Sequence, residues 1–248
     1  KGDFSQICAI ASRNIDMAQK VAQELRIPKA YGSYEELLKD SEIESIYIPL
    51  PNHLHVEWII KSLEAGKHVL CEKPIALNYD QARYLKKEVD KYPDLKVMEA
   101  FMYRFHPQWQ AVKKLVDEGS IGEIKNIYSI FSYYNDDPNN IRNQVEIGGG
   151  GLMDIGCYCI SVARLLFSNE PGRVCGTIEY DPKMKIDRLV SGILEFENGT
   201  SSFTCSTQLI ASRRVIIYGT QGRIEMITPF IPSPQSASKI IHQVGSNS

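Results

Sequence analysis

The first 100 residues alternate between short continuous apolar runs and apolar stripes with helical spacing. Runs at residues 5–11, 45–48, 68–71 and 95–100 are typical of strands that are covered on both faces. Stripes of period 3.6 lie between these runs and indicate helices that cover them. Strands and helices that alternate in this way predict a parallel α/β sheet.

Helix boundaries can be assigned from capping residues. Asn14, Ser33 and Asn78 each precede a stripe, and Glu36 completes a capping box with Ser33. Pro28 ends the first helix, and the second runs through Leu38. The residues predicted to be buried on the first helix and on the helix that Asn78 begins are Ile15, Ala18, Ala22, Leu25, Ala82, Leu85 and Val89.

Residues 45–76 form the most informative unit, a strand, a helix and a second strand. The helix has an apolar stripe and ends near Gly66. A unit of this length predicts two parallel strands with a right-handed crossover. Ligands gather at the carboxyl ends of such strands. Two polar clusters therefore converge on one edge, namely Pro49, Asn52, His53 and His55 after one strand, and Glu72, Lys73 and Pro74 after the other.

The pattern changes near Phe101. Pro107 begins a helix that Gly119 ends, and another helix spans about residues 151–167. The rest is rich in short β-type runs, with an Asn198-Gly199 hairpin signal. Residues 102–248 are therefore predicted to form an α+β domain with a large open antiparallel sheet. The Pro- and Ser-rich segment after Pro229 indicates a loop or ragged end.

Composition and charge narrow the function classes. The 248 residues are 43% hydrophobic and 23% charged, with a formal net charge of −2. The absence of a basic block argues against nucleic acid or an anionic membrane surface as a partner. No stretch approaches the roughly 20 consecutive apolar residues of a membrane span. We expect a cytoplasmic protein that binds a polar small molecule.

Cysteine and histidine spacing favours neither disulfides nor a metal site. The six cysteines lie scattered in apolar surroundings, which predicts buried free thiols. His53 and His55 are two residues apart, as in a turn, and no third ligand is evident.

Ser12 and Arg13 follow the first apolar run. In dinucleotide-binding sheets an acidic residue near this position binds the ribose hydroxyl, whereas an arginine accommodates a 2′-phosphate. The pair therefore favours NADP over NAD, and the alternative is a solvated loop arginine.

Lys73 and Tyr158 are the candidate proton-transfer groups. Lys73 is held between a strand and a proline, although a lysine at this position is often only a surface residue. The stretch GGGGLMDIGCYCI lets the backbone pass close to another surface or a ligand, and then places Asp154 and Tyr158 on one helix face. The alternative for Tyr158 is a core residue with a bonded hydroxyl.

Three motifs together resemble the oxidoreductases grouped around glucose-fructose oxidoreductase, inositol 2-dehydrogenase and the rhizopine catabolism protein MocA. These motifs are the turn and helix ending in AGKHVLCEKP, the segment EAFMYRFHPQW and GGGGLMDIGCYCI. The tyrosine in DIGCY is similar to the branch with NADP-dependent D-xylose dehydrogenase and dimeric dihydrodiol dehydrogenase, where other branches have histidine.

The resemblance implies roles for individual residues. Lys73 and Tyr158 are the implied catalytic pair, with Tyr158 as general acid/base and Asp154 binding the substrate or orienting the site. The implied cofactor residues are Ser12, Arg13, Pro49, Asn52, His53, Glu72, Lys73 and Arg104. Arg142 is a weaker candidate. The implied substrate is a sugar or cyclic diol, and the implied assembly is a homodimer through the sheet of the second domain.

One feature of the family has no counterpart in this sequence. Family members begin with a strand and a Gly-x-Gly-x-x-Gly turn that binds the pyrophosphate. We therefore expect residues 1–101 to be an incomplete Rossmann-type dinucleotide-binding domain, followed by a substrate-binding and oligomerisation domain at 102–248, in a chain truncated at both ends. The alternative function is a non-catalytic dinucleotide-binding or scaffold member of the same fold.

Overall fold

The computed structural model describes residues 5–232, 235 and 237–245. The chain divides into two compact units, Lys1–Ala100 and Phe101–Ser248. Each unit is described by itself. Dinucleotide binding by the first unit and substrate binding by the second stay predictions.

The first unit alternates strands and helices, as the sequence predicts. Its elements are β1 (Ala9–Ala11), α1 (Ile15–Leu25), β2 (Lys29–Tyr31), α2 (Tyr34–Lys39), β3 (Ser45–Ile48), α3 (His55–Glu64), β4 (His68–Cys71), α4 (Tyr79–Val89) and β5 (Val97–Glu99). A 3₁₀ turn, Asn52–Leu54, leads into α3. The side chains of Asn14, Ser33 and Asn78 each accept an amide hydrogen bond at a helix start, which confirms the predicted caps.

All strand pairs of this unit are parallel, in two groups. β1 pairs with β2, and β4 lies between β3 and β5. No described strand lies between these two groups, so they do not form one continuous hydrogen-bonded sheet. A core of α3 and α4 side chains covers the three-stranded group, with Ile59, Leu63 and Leu85 fully buried.

Two expectations for α1 and β1 are wrong. Ile15 and Leu25 are 40% and 65% exposed, whereas Ala18 and Ala22 are buried. α1 packs on β1 and β2, which have three residues each. Such strands span about 10 Å against about 16 Å for an 11-residue helix, so the helix ends extend beyond their cover. β1 is also shorter than the apolar run at residues 5–11.

The second unit places two helices on one face of a seven-stranded sheet. Its elements are α5 (Pro107–Asp117), β6 (Ile124–Tyr134), α6 (Cys157–Phe167), β7 (Arg173–Tyr180), β8 (Asp187–Phe196), β9 (Gly199–Ser206), β10 (Gln208–Gly219), β11 (Gly222–Met226) and β12 (Ile240–Val244). The strand order is β12-β11-β10-β6-β9-β8-β7. The inner face, which carries Ile127, Phe131 and Val215, packs with Val162 and Ala163 of α6 in one core.

The sheet is mixed rather than antiparallel throughout. β6 pairs with β9 in parallel, and every other neighbouring pair is antiparallel. The expectation of a loop after Pro229 is also wrong in part, because β12 pairs with β11 from Ile240 to Val244. Ile240 packs against the core, and this contact stabilises β12. The strand could not be recognised from the sequence because the residues before it are rich in Pro and Ser. Residues 233, 234, 236 and 246–248 of that segment lie outside the described residues.

The helix that carries Asp154 and Tyr158 is the central helix of this unit. Residues 145–167 are long and apolar enough to cross a membrane by length and composition alone, contrary to the sequence expectation. In the structure the α6 part is a core helix, with Tyr158, Cys159, Val162, Ala163 and Leu166 buried.

Candidate functional site

The carboxyl ends of β3 and β4 bring the two predicted polar clusters of the first unit together. Ile48 is in register with Cys71, and the Glu72 amide donates to the Ile48 carbonyl at 3.0 Å. The segments that begin at Pro49 and Glu72 therefore leave the sheet side by side. Pro49 and His53 are exposed, and Asn52, Glu72 and Lys73 are partly buried.

Glu72 is held by its neighbours at this edge. Its Oε1 accepts a hydrogen bond from the Tyr47 hydroxyl at 2.7 Å, and its Oε2 accepts from the Lys73 amide at 3.3 Å. Partial burial of the hydroxyl, and then the bond to Glu72, raise the pKa of Tyr47 to about 12. Tyr47 therefore remains a hydrogen-bond donor near neutral pH. Lys73 precedes Pro74 through a cis peptide bond.

His55 ties the two strand ends rather than facing a ligand. It is fully buried, with Nδ1 2.7 Å from the Pro74 carbonyl oxygen and Nε2 2.7 Å from the Leu50 carbonyl oxygen. His55 thus lies at the predicted edge, beside Pro74, but its ring nitrogens contact backbone carbonyl oxygens. The sequence could not reveal this role, because both partners are backbone atoms.

Ser12 and Arg13 follow β1. The Ser12 amide donates to the Tyr31 carbonyl at 3.1 Å, and its hydroxyl accepts from the Asn14 amide at 3.2 Å. Arg13 is exposed, and within the described residues its side chain takes part in no hydrogen bond or ion pair. An exposed cation at the carboxyl end of a parallel strand can bind an anionic group.

In the second unit Asp154 is fixed from two sides. Tyr133, on the inner face of β6, donates its hydroxyl to Asp154 Oδ2 at 2.6 Å, and Arg142 donates through Nε to Oδ1 at 3.3 Å. Burial of the Tyr133 hydroxyl, with the nearby Asp154 charge, raises the pKa of Tyr133. Tyr133 therefore stays protonated and keeps donating near neutral pH. The structure thus brings Arg142 and Asp154 together.

The loop that carries Arg142 is tightly bonded. Asn143 is buried, and its side-chain amide donates to the Asn135 side chain at 3.2 Å and to the Asp137 carbonyl at 2.8 Å. The Gly150 amide donates to the Arg142 carbonyl at 2.9 Å. Arg142 is thus held through both its backbone and its side chain.

The four glycines pass close to protein groups. A Cβ added at Gly149 would lie 2.6 Å from the Arg142 carbonyl oxygen. A Cβ added at Gly150 would lie 2.0 Å from Asp187 Oδ1, and Gly150 also has a positive φ of 130°. Asp187 Oδ2 accepts from the Leu152 amide at 2.5 Å. Burial raises the pKa of Asp187, and hydrogen bonds from backbone amides partly offset this increase. This carboxyl group anchors the start of the helical segment.

That segment begins with a π-helical turn, Leu152–Gly156, and continues as α6. Turns of this kind recur at functional sites. Asp154 lies within it, and Tyr158 follows one turn later.

Tyr158 is buried among aromatic rings. Its ring lies 5.4–5.8 Å, centre to centre, from those of Phe101, Tyr103, Phe131 and Phe230. The Tyr158 ring therefore lies in the hydrophobic core. Asp154, one helical turn before it, belongs to a polar cluster with Tyr133 and Arg142. Arg104 is exposed in the 3₁₀ turn Met102–Phe105.

Two features bear on other chemistry. No disulfide joins cysteines of the described residues, and only Cys71, Cys159 and Cys205 are buried, whereas Cys175 is exposed on β7. The expectation of uniformly buried thiols is therefore wrong. No group of three or more His, Cys, Asp or Glu side chains in the described residues is placed to hold a metal ion.

Neither Tyr133 nor Asp187 was predicted from the sequence to belong to the site. Both lie in β-strands, and both reach the site through strand register and loop packing that no local pattern encodes. The pairing of Lys73 with Tyr158 stays a prediction, as do the roles assigned to the cofactor residues.

Comparison with known proteins gives consistent matches over both units. Residues 1–101 match a family model described as an oxidoreductase family with an NAD-binding Rossmann fold, and residues 109–225 match the GFO/IDH/MocA C-terminal domain.

Similar proteins include several oxidoreductases. An uncharacterised oxidoreductase of Rhizobium meliloti is 45% identical over 97% of this chain and 72% of that protein. A D-xylose 1-dehydrogenase (NADP⁺) of Haloferax volcanii is 37% identical over 96% of this chain and 73% of that protein. A trans-1,2-dihydrobenzene-1,2-diol dehydrogenase of Xenopus laevis is 36% identical over 93% of this chain and 69% of that protein.

A solved structure has the same fold. A 3-ketoreductase from Actinomadura kijaniata, in complex with NADP and TDP-benzene, superposes with a TM-score of 0.83 and 28% identity. The match covers 98% of this chain and 78% of that one.

Proposed function

The chain belongs to the Gfo/Idh/MocA family of NAD(P)-dependent oxidoreductases, and we propose that it is an NADP-dependent dehydrogenase of sugars or cyclic trans-dihydrodiols. One observation carries the proposal: the Asp154 carboxylate is fixed by two donors one helical turn before Tyr158. Such a fixed polar group suits a substrate hydroxyl. The named activities of the similar proteins support the substrate class.

The residues of the first unit fit the cofactor. Arg13 is an exposed cation after a parallel strand, without a protein partner among the described residues, and this suits a 2′-phosphate. Pro49, Asn52, His53 and Glu72 follow two adjacent strand ends, where such sheets bind ligands. We assign them to the nicotinamide end, Ser12 to the adenosine phosphate and Arg104 to the cofactor or substrate. When bound, the nicotinamide ring supplies the hydride acceptor.

Tyr158 takes the substrate proton in this proposal. The deprotonated Tyr158 oxygen would accept the proton of the substrate hydroxyl, and the carbon that bears this hydroxyl would become a carbonyl carbon once the bound cofactor had accepted its hydride. An unperturbed tyrosine has a pKa of about 10, so a nearby cation is needed for the transfer near neutral pH. We assign that part to Lys73, and Asp154 orients the hydroxyl.

The first experiment replaces the two proposed proton-transfer residues. Lys73→Met and Tyr158→Phe are each expected to lower kcat/KM for D-xylose or the trans-dihydrodiol by about 10²–10⁴-fold, the usual contribution of a general acid or base. The measurement is NADP reduction, repeated with NAD, which should be the poorer cofactor.

Matched controls are available on the surface. Lys61 forms an ion pair with Glu57, and Tyr134 is 65% exposed, so Lys61→Met and Tyr134→Phe should leave turnover unchanged. Near-normal turnover by Lys73→Met would sink the assignment. Cofactor binding by the unaltered protein without turnover of a broad polyol panel favours the non-catalytic alternative.

A further inference from the structure

Arg213 is a partly buried cation that has no hydrogen-bond acceptor among the described residues. It lies on the inner face of β10, in register with Phe131, and its guanidinium carbon is 5.5 Å from the Phe131 ring centre. Its Nε is fully buried and without a hydrogen-bond partner. Within the described part of the chain, its side chain makes no hydrogen bond or ion pair.

This arrangement is unusual for a guanidinium. Arginine carries five N–H donors, and buried polar groups nearly always have partners. The Phe131 ring attracts the charge but leaves the buried Nε–H without a hydrogen-bond acceptor among the described residues. The fold therefore holds a donor group in a state that is unfavourable without a ligand, which is typical of binding sites that sacrifice stability.

Arg213 lies beside the candidate catalytic residues of its own unit. The Phe131 ring that it faces is 5.6 Å from the Tyr158 ring. Tyr133, which holds Asp154, follows Phe131 by two residues on the same face of β6. Arg213 and Tyr158 thus both lie against the Phe131 ring, and the strand that carries this ring also carries Tyr133.

A β-bulge sets the position of this arginine. Gln208 pairs with Tyr134 and Ser212 with Ser132, so β10 advances four residues while β6 advances two. The Ser132 hydroxyl donates to the Ile210 carbonyl at 2.6 Å and fixes the bulge. Bulges next to active sites change the direction of side chains. Arg213 is the second residue after the bulge of β10.

We propose that Arg213 binds the substrate by donating two N–H groups to a vicinal pair of oxygen atoms, one of them on the reacting carbon. The proposal rests on the dehydrogenase function above. A planar guanidinium binds two adjacent oxygens at once, which a lysine does not. D-Xylose and trans-dihydrodiols share such a vicinal pair. Arg213 therefore selects 1,2-diols over simple alcohols.

The test compares Arg213→Met with Arg214→Met. Arg214 is the neighbouring residue on the opposite face, half exposed and paired with Glu225 at 3.3 Å. In Arg213→Met, the KM for D-xylose and for trans-cyclohexane-1,2-diol should rise tenfold or more, with the KM for NADP changed less than twofold. The preference for the diol over cyclohexanol should fall by a similar factor. Arg214→Met should change none of these constants.

Stability distinguishes binding from a structural role. Because Arg213 has no hydrogen-bond or ion-pair partner among the described residues, and methionine can keep an apolar contact with the Phe131 ring, Arg213→Met should unfold in urea at the same or a higher midpoint. A lower midpoint, or a diol preference within twofold of the unaltered protein, overturns the proposal. Absence of NADP-linked turnover in the unaltered protein sinks the dehydrogenase function instead. In that case, a diol-induced rise in melting temperature that Arg213→Met abolishes still supports binding, and equal shifts overturn it.

Discussion

The Tyr133 hydroxyl determines which way the Asp154 carboxylate points. Tyr133, on the sheet, donates a hydrogen bond to Oδ2, and Arg142, in the loop, donates one to Oδ1. The carboxylate therefore has little freedom to rotate. Catalytic groups need support of this kind, because small misplacements weaken substrate orientation strongly.

Removing that hydroxyl should weaken substrate binding. A hydrogen bond to a charged group contributes about 1.5–3 kcal/mol, and about 1.4 kcal/mol is a factor of ten. Tyr133→Phe keeps the ring and should raise the substrate KM about tenfold, with a smaller change in kcat. Steady-state kinetics with D-xylose measures both.

Tyr134→Phe is the matched control, because Tyr134 lies on the opposite face of β6 and its hydroxyl donates to the exposed Asp136 at 3.3 Å. If Tyr133 acts through Asp154, adding Tyr133→Phe to Asp154→Asn should have little further effect. Independent, multiplicative losses would contradict this account.

Local sequence could identify Asp154 and Tyr158 but not their partners. The two share one helix face by spacing alone, and the glycines before them mark a close approach. Tyr133 and Arg213 are indistinguishable in sequence from the tyrosine and arginine beside them, Tyr134 and Arg214. Only the register of β6 against β10 decides which member of each pair faces inward.

At the scale of elements, the π-helical turn fits the helix start onto β9. An added Cβ at Gly156 would lie 2.7 Å from Cys205 Sγ and 2.9 Å from Leu152 Cδ1. Gly156 is therefore required by contact with the sheet. The same contact fixes the height of Asp154 and Tyr158 above the sheet.

Gly156→Ala should push this helix away from the sheet. Overpacking of a core typically costs about 1–3 kcal/mol, and we expect a loss of that size in the free energy of unfolding. Urea titration of the unaltered protein and the variant measures it.

A second substitution tests the cause. Cys205→Ala removes the sulfur that the new methyl group meets, so the double variant should lose less stability than the sum of the single variants. Strict additivity would show that the Gly156 contact is not the origin of the effect.

Elements with local signals were predictable, and long-range pairing was not. Asn14 and Asn78 mark helix starts because capping is decided within four residues. The parallel pairing of β6 with β9 joins strands about 70 residues apart, and no local pattern encodes it. β12 was missed because its burial depends on β11 and the core.

At the scale of the whole molecule, the outer face of the seven-stranded sheet bears on assembly. A cross-strand row on this face contains Ile216, Tyr128, Ser202 and Ile193 in register. Tyr128 and Ile193 are 37% and 48% exposed. A partly apolar face of this kind suits a second copy of the chain, and we propose a homodimer through it.

Charges placed in this row should separate the dimer. The variant Tyr128→Glu with Ile193→Glu is expected to sediment as a monomer at micromolar concentration, because two buried carboxylates per subunit oppose association. Sedimentation velocity measures this.

Ile210→Glu is the control, since Ile210 is 87% exposed in the bulge of β10, away from the row. A monomeric unaltered protein, or a double variant that stays dimeric, would exclude this interface.

The central place of β6 in its sheet has a consequence for synthesis. Its two partners, β9 and β10, begin at Gly199 and Gln208 and so leave the ribosome long after Tyr134. The described strands of the first unit end by Glu99, so we expect this unit to begin folding while the second is still being made. During that interval β6 and α6 expose the apolar surfaces that later form the core. We therefore expect the nascent chain to be most prone to aggregation between the emergence of α6 and that of β10.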